Sequence, residues 1–329
     1  MNEYSKQRYD KMLYRKCGRW GLKLPAISLG AWETFGGYRG AEAARECVFR
    51  AFDLGITHFD FANNYGRPPG NAEKIVGKVL KDLPRDELII SSKAGYLMWP
   101  GPYGEWGSRK YLMASLDQSL QRLGLDYVDI FYHHRPDPET PLEESIGALN
   151  DIVRSGKALY AGVSNYPGQL SDAACSLVAS RGWSPLVIHQ PRYHMLERTV
   201  ENDLFPVAKK HGFGIIAFSP LASGLLTDKY LNGIPEGSRA LQGVDALPYL
   251  RKQIGNESLV GRLCGLNDVA RARGQTLAQM ALAWVLRNPE VTSALIGASR
   301  VEQVEQNVAA LDNLKFTDDE LKRIENLLR

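Results

Sequence analysis

The fold of this chain is decided by GITHFDFANNYG at residues 55–66, with ELIISSKAGY at 87–96 and YVDIFYHHRPD at 127–137. Each segment contains an apolar run of strand length, and a helical pattern follows it. Polar groups just past successive strands of a βα repeat converge on one face of the sheet or barrel, where active sites of such folds lie. Four ionisable residues occupy these strand ends: Asp60, Tyr65, Lys93 and His134. The pattern predicts acid/base chemistry on a carbonyl.

Short β-branched or aromatic runs alternate with amphipathic stretches along the chain. The predicted strands are Ala26–Gly30, Thr57–Phe61, Leu88–Lys93, Val128–His134, Ala158–Val163, Leu186–Gln190, Gly214–Ser219 and Thr292–Ile296. The predicted helices are Ala41–Leu54, Asn71–Leu83, Ser108–Leu123, Pro141–Ser155, Gly168–Arg181, Val200–His211, Leu277–Arg287 and Val301–Leu311. Strands that each precede a helix predict an α/β protein with a closed parallel (β/α)8 TIM barrel, as one domain over residues 1–329.

Three further segments lie outside the alternation. Met12–Arg19 and Leu22–Pro25 predict an N-terminal hairpin at the barrel bottom, and a helix is expected at the C-terminus. Thr227–Gly255 is rich in Gly and Pro and non-periodic, so we expect a functional loop after the seventh barrel strand. Glu257–Arg273 has a helical pattern.

Composition restricts the class of protein. The chain has 329 residues, 44% hydrophobic and 23% charged, which suits a globular protein. Its 40 Lys and Arg against 37 Asp and Glu give +3, too little to indicate nucleic-acid binding. The four cysteines form no C-x-x-C pair and indicate free thiols. The polar N-terminus and the lack of a long apolar run favour a cytoplasmic location without a membrane span.

The four ionisable residues suit one another chemically. A phenol has a pKa of about 10 and is a poor acid alone. The Lys93 ammonium would favour the phenolate of Tyr65, Asp60 would hold Lys93, and His134 would orient a substrate carbonyl. Each residue alone has an ordinary structural explanation, as a cap, an ion pair or a solvated strand end. The four together favour catalysis, and the sequence contains no metal-ligating cluster.

No G-x-G-x-x-G motif follows a predicted strand, so a dinucleotide would have to be held in another way. The three quoted segments, with GKALYAGVSNY at 156–166, AFSPLASGLLT at 217–227 and LIGASRVEQVEQN at 295–307, resemble the aldo-keto reductases over nearly the whole chain. The resemblance implies a (β/α)8 barrel that binds NAD(P)H without a Rossmann domain. It also implies that Asp60, Tyr65, Lys93 and His134 are catalytic, and it selects His134 over His133, which would pack beneath the site.

The same resemblance assigns a cofactor site residue by residue. Those positions are Trp32, Asp60, Ser164, Asn165, Gln190, Phe218, Ser219, Leu221, Ser223, Gly224, Leu225, Lys229, Arg239, Gly297, Ser299, Arg300, Gln303 and Asn307. Ser164, Asn165 and Gln190 would hold the nicotinamide carboxamide, and Phe218 would stack on its ring. The segment from Ser219 to Leu225 would cover the pyrophosphate. Arg300 suits a 2′-phosphate, because guanidinium binds phosphate in a fixed fork, and so NADPH is the expected cofactor.

Within the family, GYLMWPGPYG at 95–104 resembles the branch of L-glyceraldehyde 3-phosphate reductases and potassium-channel β subunits. The branch implies reduction of small aldehydes, including methylglyoxal-like ones, and a homo-oligomer of four or more chains. The expected substrate pocket contains Trp32, Tyr65, Trp99, Tyr103 and His134. A substrate phosphate would need cationic or amide donors, for which the candidates are Arg67, Arg109, Arg135 and Arg192.

Two alternatives stay open at this point. The chain could be a cofactor-binding interaction or redox-sensing subunit resembling the channel β subunits, although those typically carry Asn where this chain has His134. It could also be a barrel enzyme of another reaction type, such as an isomerase or a lyase. The N-terminal hairpin and the segment 297–307 argue against the latter.

Overall fold

A computed structural model describes residues 4–236, 238 and 247–329. These residues contain ten strands: β1 Tyr14–Lys16, β2 Lys23–Pro25, β3 Ile27–Gly30, β4 His58–Asp60, β5 Ile89–Ala94, β6 Val128–His133, β7 Ala158–Ser164, β8 Leu186–Gln190, β9 Gly214–Phe218 and β10 Val291–Ile296. Strands β3 to β10 close into a barrel in chain order, with every neighbouring pair parallel. The predicted fold class is therefore confirmed.

Helices cover the outside of the barrel and its C-terminal side. They are α1 Ala41–Asp53, α2 Asn71–Leu80, α3 Arg109–Leu123, α4 Leu142–Arg154, α5 Gly168–Arg181, α6 Val200–Asp203, α7 Phe205–His211, α8 Leu247–Ile254, α9 Glu257–Ala272, α10 Leu277–Leu286, α11 Val301–Val308 and α12 Asp318–Leu328. Helix α10 begins at a capping box, in which Thr276 and Gln279 satisfy each other's backbone N–H groups.

Two predicted elements differ from the structure. The single helix expected over Val200–His211 is two helices, because Pro206 lies in the first turn of α7 and has no N–H to continue an earlier helix. Part of the loop expected over Thr227–Gly255, residues 237 and 239–246, lies outside the described residues. Its described end contains α8, so the prediction of a non-periodic loop was wrong over Leu247–Ile254. Leu250 and Ile254 are buried one helical turn apart, which is too short a pattern to stand out beside the Gly- and Pro-rich residues before it.

The N-terminal hairpin is present as the antiparallel pair β1 and β2. Leu22 and Leu24 are buried in one apolar cluster with Ile130 and Ile216 from the barrel strands. Cys17 belongs to the same cluster and is fully buried. The hairpin therefore packs against apolar side chains of the barrel. None of the described helices is both long enough and apolar enough to cross a membrane.

Candidate active site

A buried ion pair lies at the ends of β4 and β5. Lys93 Nζ donates to Asp60 Oδ2 at 2.5 Å and to the carbonyl oxygen of Phe61 at 2.6 Å. Lys93 is fully buried and Asp60 is 1% exposed. In the register of the two strands Asp60 is opposite Ser91, so Lys93 lies two residues further along and on the same face. Two acceptors hold the ammonium in one position.

Tyr65 lies above this pair. Lys93 Nζ is 5.2 Å from the centroid of the Tyr65 ring, and Tyr65 is 9% exposed. Burial, together with the Asp60 carboxylate, raises the pKa of the Tyr65 hydroxyl well above its ordinary value. We expected Lys93 to favour the phenolate; in the protein alone, burial outweighs any such contribution to the pKa of Tyr65. The carboxylate offsets the ammonium within the ion pair, so desolvation of the phenolate decides the pKa.

His134 follows β6 and completes the group. Its ring meets Tyr65 edge to face, with centroids 6.0 Å apart, and meets Tyr96 in the same way at 4.7 Å. Burial, Lys93, His133 and Arg135 lower the pKa of His134 well below its usual range. His134 is therefore neutral near pH 7 and can donate one hydrogen bond. The neighbouring His133 is bonded through Nδ1 to the Tyr166 hydroxyl at 2.7 Å and is fully buried.

A group of amide and hydroxyl side chains lies beside the four ionisable residues. Asn165 Nδ2 donates to the carbonyl oxygen of His134 at 3.0 Å, and Ser164 Oγ donates to that of Gln190 at 2.8 Å. Gln190 Nε2 donates to Asp60 Oδ1 at 3.1 Å. The ends of β7 and β8 are thereby tied to the Asp60–Lys93 pair. Such groups can both donate to and accept from a carboxamide.

Phe218 ends β9 and is half-buried, and the chain then turns repeatedly. Ser219, Ala222 and Ser223 have φ of 53°, 48° and 58°, and Gly224 has φ of 101°. Leu225 is 2% exposed beneath this turn. Successive N–H groups in turns of this kind form concavities that bind anions.

The start of α11 lies after β10. Gln303 Oε1 accepts hydrogen bonds from the backbone N–H of Ser299 at 2.8 Å and from its hydroxyl at 3.1 Å. Gly297 precedes this link, and Asn307 is 5% exposed one turn beyond it. The Arg300 side chain is 67% exposed and lies 3.8 Å from Glu302. Lys229 lies 5.5 Å from the ring of Tyr230. Arg239 lies outside the described residues.

The aromatic side chains expected to form a substrate pocket differ in position. Trp32 is 42% exposed after β3, and Trp99 packs on Tyr111 of α3 with centroids 5.2 Å apart. Tyr103 is 50% exposed with Lys110 over its ring. Besides Tyr65, the ring of Tyr96 contacts His134, and sequence reasoning did not select Tyr96. Its signal was its place one residue after Gly95 at the end of β5.

The four arginines proposed to bind a substrate phosphate have different contacts. Arg135 lies between Tyr96 and Trp106, 4.3 Å and 3.6 Å from their ring centroids, and pairs with Glu105 at 2.9 Å. Arg192 lies 5.3 Å from the Phe218 ring centroid.

The other two arginines have partners on neighbouring elements. Arg67 lies 3.8 Å from Glu33. Arg109 is the first residue of α3 rather than a loop residue, and it pairs with Asp151 of α4 at 2.5 Å.

Backbone strain is concentrated on the same side of the barrel. Among the described residues, six that are not glycine have positive φ: Glu33, Trp106, Asn165, Ser219, Ala222 and Ser223. All six lie between the carboxyl end of a barrel strand and the next helix of the barrel wall. Left-handed backbone costs a non-glycine residue energy, and such residues cluster at functional sites. This face of the barrel is therefore the candidate site on backbone grounds as well.

A closed (β/α)8 barrel with a lysine–aspartate pair, a tyrosine and a histidine at its strand ends is typical of a barrel oxidoreductase. The sequence model of the Aldo/keto reductase family matches residues 26–329, and the chain belongs to this family. It is 54% identical over 324 residues to the L-glyceraldehyde 3-phosphate reductase of Escherichia coli (strain K12), covering 97% of this chain and 93% of that protein. It is 37% identical over 330 residues to a protein of Arabidopsis thaliana named "Probable voltage-gated potassium channel subunit beta", covering 97% of each. Members of the family generally use NAD(P)H.

Proposed function

We propose that this protein reduces small aldehydes with NADPH, and that L-glyceraldehyde 3-phosphate is its preferred substrate. Methylglyoxal and similar aldehydes would also react, because the chemistry requires only the carbonyl. The observation that supports the proposal is the buried Asp60–Lys93 ion pair beneath Tyr65, with neutral His134 beside it. The relative named L-glyceraldehyde 3-phosphate reductase supports the substrate.

Each of the four residues has one task. Tyr65 holds its proton at neutral pH, because burial raises its pKa, and donates it to the carbonyl oxygen as negative charge develops there. The Lys93 ammonium then stabilises the phenolate that Tyr65 becomes. Neutral His134 donates a hydrogen bond to the same oxygen and orients it. Asp60 keeps Lys93 in place.

The residues present fit NADPH. Ser164, Asn165 and Gln190 would hold the carboxamide, and Phe218 offers a half-buried ring for stacking. The left-handed turn at 219–224 would take the pyrophosphate through its N–H groups. Bound NADPH would supply the hydride.

Arg300 is the residue we propose to select NADPH over NADH. Replacing Arg300 by alanine should weaken NADPH binding by about 1.5–3 kcal/mol, or roughly 10- to 150-fold in Kd, because a charge-assisted phosphate contact is lost. NADH binding should change little. Both can be measured by quenching of protein fluorescence.

Arg50→Ala provides the control, because Arg50 pairs with Glu305 on α11 and its loss perturbs the same helix. Arg50→Ala should weaken the binding of NADPH and of NADH equally. If Arg300→Ala weakened NADH binding as much as NADPH binding, Arg300 would have no part in selecting the 2′-phosphate.

The proposed activity is tested by following NADPH absorbance with a panel of aldehydes. L-Glyceraldehyde 3-phosphate should give a kcat/KM about tenfold or more above that of L-glyceraldehyde, because a phosphate supplies remote binding energy. Equal kcat/KM values for the two trioses would indicate a general aldehyde reductase without a preference for the phosphate. No oxidation of NADPH with any aldehyde would refute the function.

The arginines that contact site aromatics can be tested within the same panel. Arg135→Met and Arg192→Met are compared with Arg109→Met, whose arginine pairs with Asp151 between two helices. If one of the first two binds the phosphate, it lowers kcat/KM for the phosphorylated triose alone. Three variants that affect both substrates equally would show that neither arginine binds the phosphate.

A second candidate function is that of a partner-binding subunit, which the relatives named as channel β subunits favour. The reductase and the partner-binding subunit depend on different groups of the site. A reductase loses its function when Tyr65 loses its hydroxyl, whereas a binding subunit that needs only the bound cofactor keeps its partner.

A further inference from the structure

A row of hydrogen bonds crosses the barrel interior and ends at Asp60. Ser293 Oγ lies 2.7 Å from Ser28 Oγ, which lies 2.9 Å from His58 Nδ1. His58 Nε2 lies 3.0 Å from Ser91 Oγ, and Ser91 Oγ donates to Asp60 Oδ1 at 2.6 Å. All five residues are at most 1% exposed. The row connects β10, β3, β4 and β5 below the candidate site.

The carboxylate fixes the direction of every bond in this row. An ionised carboxylate only accepts, so Ser91 uses its one proton on Asp60. Ser91 Oγ must then accept from His58, which places the imidazole proton on Nε2. Burial lowers the pKa of His58 to about 4, so the ring is neutral and carries no second proton. His58 Nδ1 therefore accepts from Ser28, and Ser28 accepts from Ser293.

We propose that Ser91 and His58 are positioning residues for proton transfer, and that they hold the Asp60 carboxylate in the orientation that places Lys93 beneath Tyr65. The inference rests on the proposed function. Ser91 and Gln190 both donate to Asp60 Oδ1, which leaves Oδ2 for Lys93. The row presents only donors to Asp60, so the barrel interior stabilises the ionised carboxylate.

The other titratable groups near Asp60 are consistent with this arrangement. Lys93 binds Oδ2, and the carboxylate raises the pKa of both the Tyr65 and the Tyr132 hydroxyls beyond what burial does. A rotated or protonated Asp60 would release Lys93 and change the charge below Tyr65. His58 and Ser91 oppose both changes without contacting a substrate.

The strand offers a matched control for Ser91. Ser92 is equally buried and donates to the Glu73 carboxylate at 2.6 Å, but on the outer face of β5. Each serine-to-alanine change removes one buried hydrogen bond to a carboxylate, so similar losses of stability are expected. Ser91→Ala should lower kcat about tenfold or more, with NADPH Kd within about twofold of the parent, whereas Ser92→Ala should leave both unchanged. Equal kcat in the two variants would overturn the proposal.

The direction in which the hydrogen bonds of this row are donated can be measured without turnover. In protein without added cofactor or substrate, nitrogen NMR should show His58 as the neutral Nε2–H form, assigned by its loss in His58→Gln. In Asp60→Asn the amide oxygen should face Lys93 and its NH₂ should face Ser91. Ser91 would then donate to His58, and the His58 proton should move to Nδ1.

These two measurements separate the inference from the function on which it rests. If the aldehyde panel shows no turnover, the proposed function fails. The His58 tautomer would still show whether the hydrogen bonds of the row run in the proposed direction. A parent protein with the His58 proton on Nδ1 would overturn the inference, and so would a tautomer that does not change in Asp60→Asn.

Discussion

Replacing Tyr65 by phenylalanine should lower kcat for aldehyde reduction by about 10²- to 10⁴-fold, the usual contribution of a positioned general acid. Only the proton donor is lost. No hydrogen bond connects the Tyr65 hydroxyl to another described residue, and the ring contacts with Lys93 and His134 remain. NADPH Kd should therefore stay within about twofold of the parent value, because the hydroxyl acts in the transition state.

Tyr132 is the matched control. Its ring centroid is 5.6 Å from Lys93 Nζ, close to the 5.2 Å of Tyr65, but the residue is fully buried in the barrel interior. Tyr132→Phe should keep kcat within about threefold of the parent. Turnover that is unchanged in Tyr65→Phe would exclude Tyr65 as the acid.

The pH dependence of the reduction follows from the same pKa shifts. The pKa of Tyr65 is raised, so its acid form is fully present below that raised value and is not lost near neutrality. The pKa of His134 is lowered, so the ring does not gain a proton near neutrality either. We expect kcat/KM for reduction to be flat between about pH 6 and pH 9. A transition in the middle of this range would show that one of the two residues has been assigned the wrong protonation state.

The barrel could be predicted from the sequence because its strands are buried on both faces and appear as short apolar runs. β8 and α5 were placed at their observed limits, Leu186–Gln190 and Gly168–Arg181. The break within Val200–His211 was missed, because the apolar periodicity continues past Pro206. The helix α8 was missed because eight residues carry only two turns of periodicity.

The site could be predicted in part. Strand ends identify residues that share a face, and the structure brings Asp60, Lys93, Tyr65 and His134 together there. The pKa of Tyr65 was not predictable, since it depends on how far burial outweighs an ammonium already neutralised by Asp60. Tyr96 and the row from Ser293 to Asp60 were also missed, because cross-barrel contacts depend on register rather than on any local pattern.

The largest loss of stability is expected when Lys93 is replaced by methionine. Lys93 is fully buried, and its removal leaves the Asp60 carboxylate buried without its cation, which costs about 3–5 kcal/mol. Removal of Lys93 should also lower kcat about 10²-fold or more, because nothing then stabilises the phenolate of Tyr65. Unfolding in urea and NADPH oxidation, each measured on purified protein well below its melting temperature, report the two losses separately.

The double variant Asp60→Asn with Lys93→Met separates the two roles. No unpaired charge remains in it, so the free energy of unfolding should return most of the way to the parent value, whereas kcat should stay as low as in Lys93→Met alone. Arg122→Met is the control for the effect of leaving a buried carboxylate without its cation. Arg122 pairs with the fully buried Glu73 at 2.6 Å between α2 and α3, so its loss should destabilise the protein and leave kcat unchanged. Recovery of turnover in the double variant would show that Lys93 serves only to neutralise Asp60, and Tyr65 would then have to act without an ammonium beneath it.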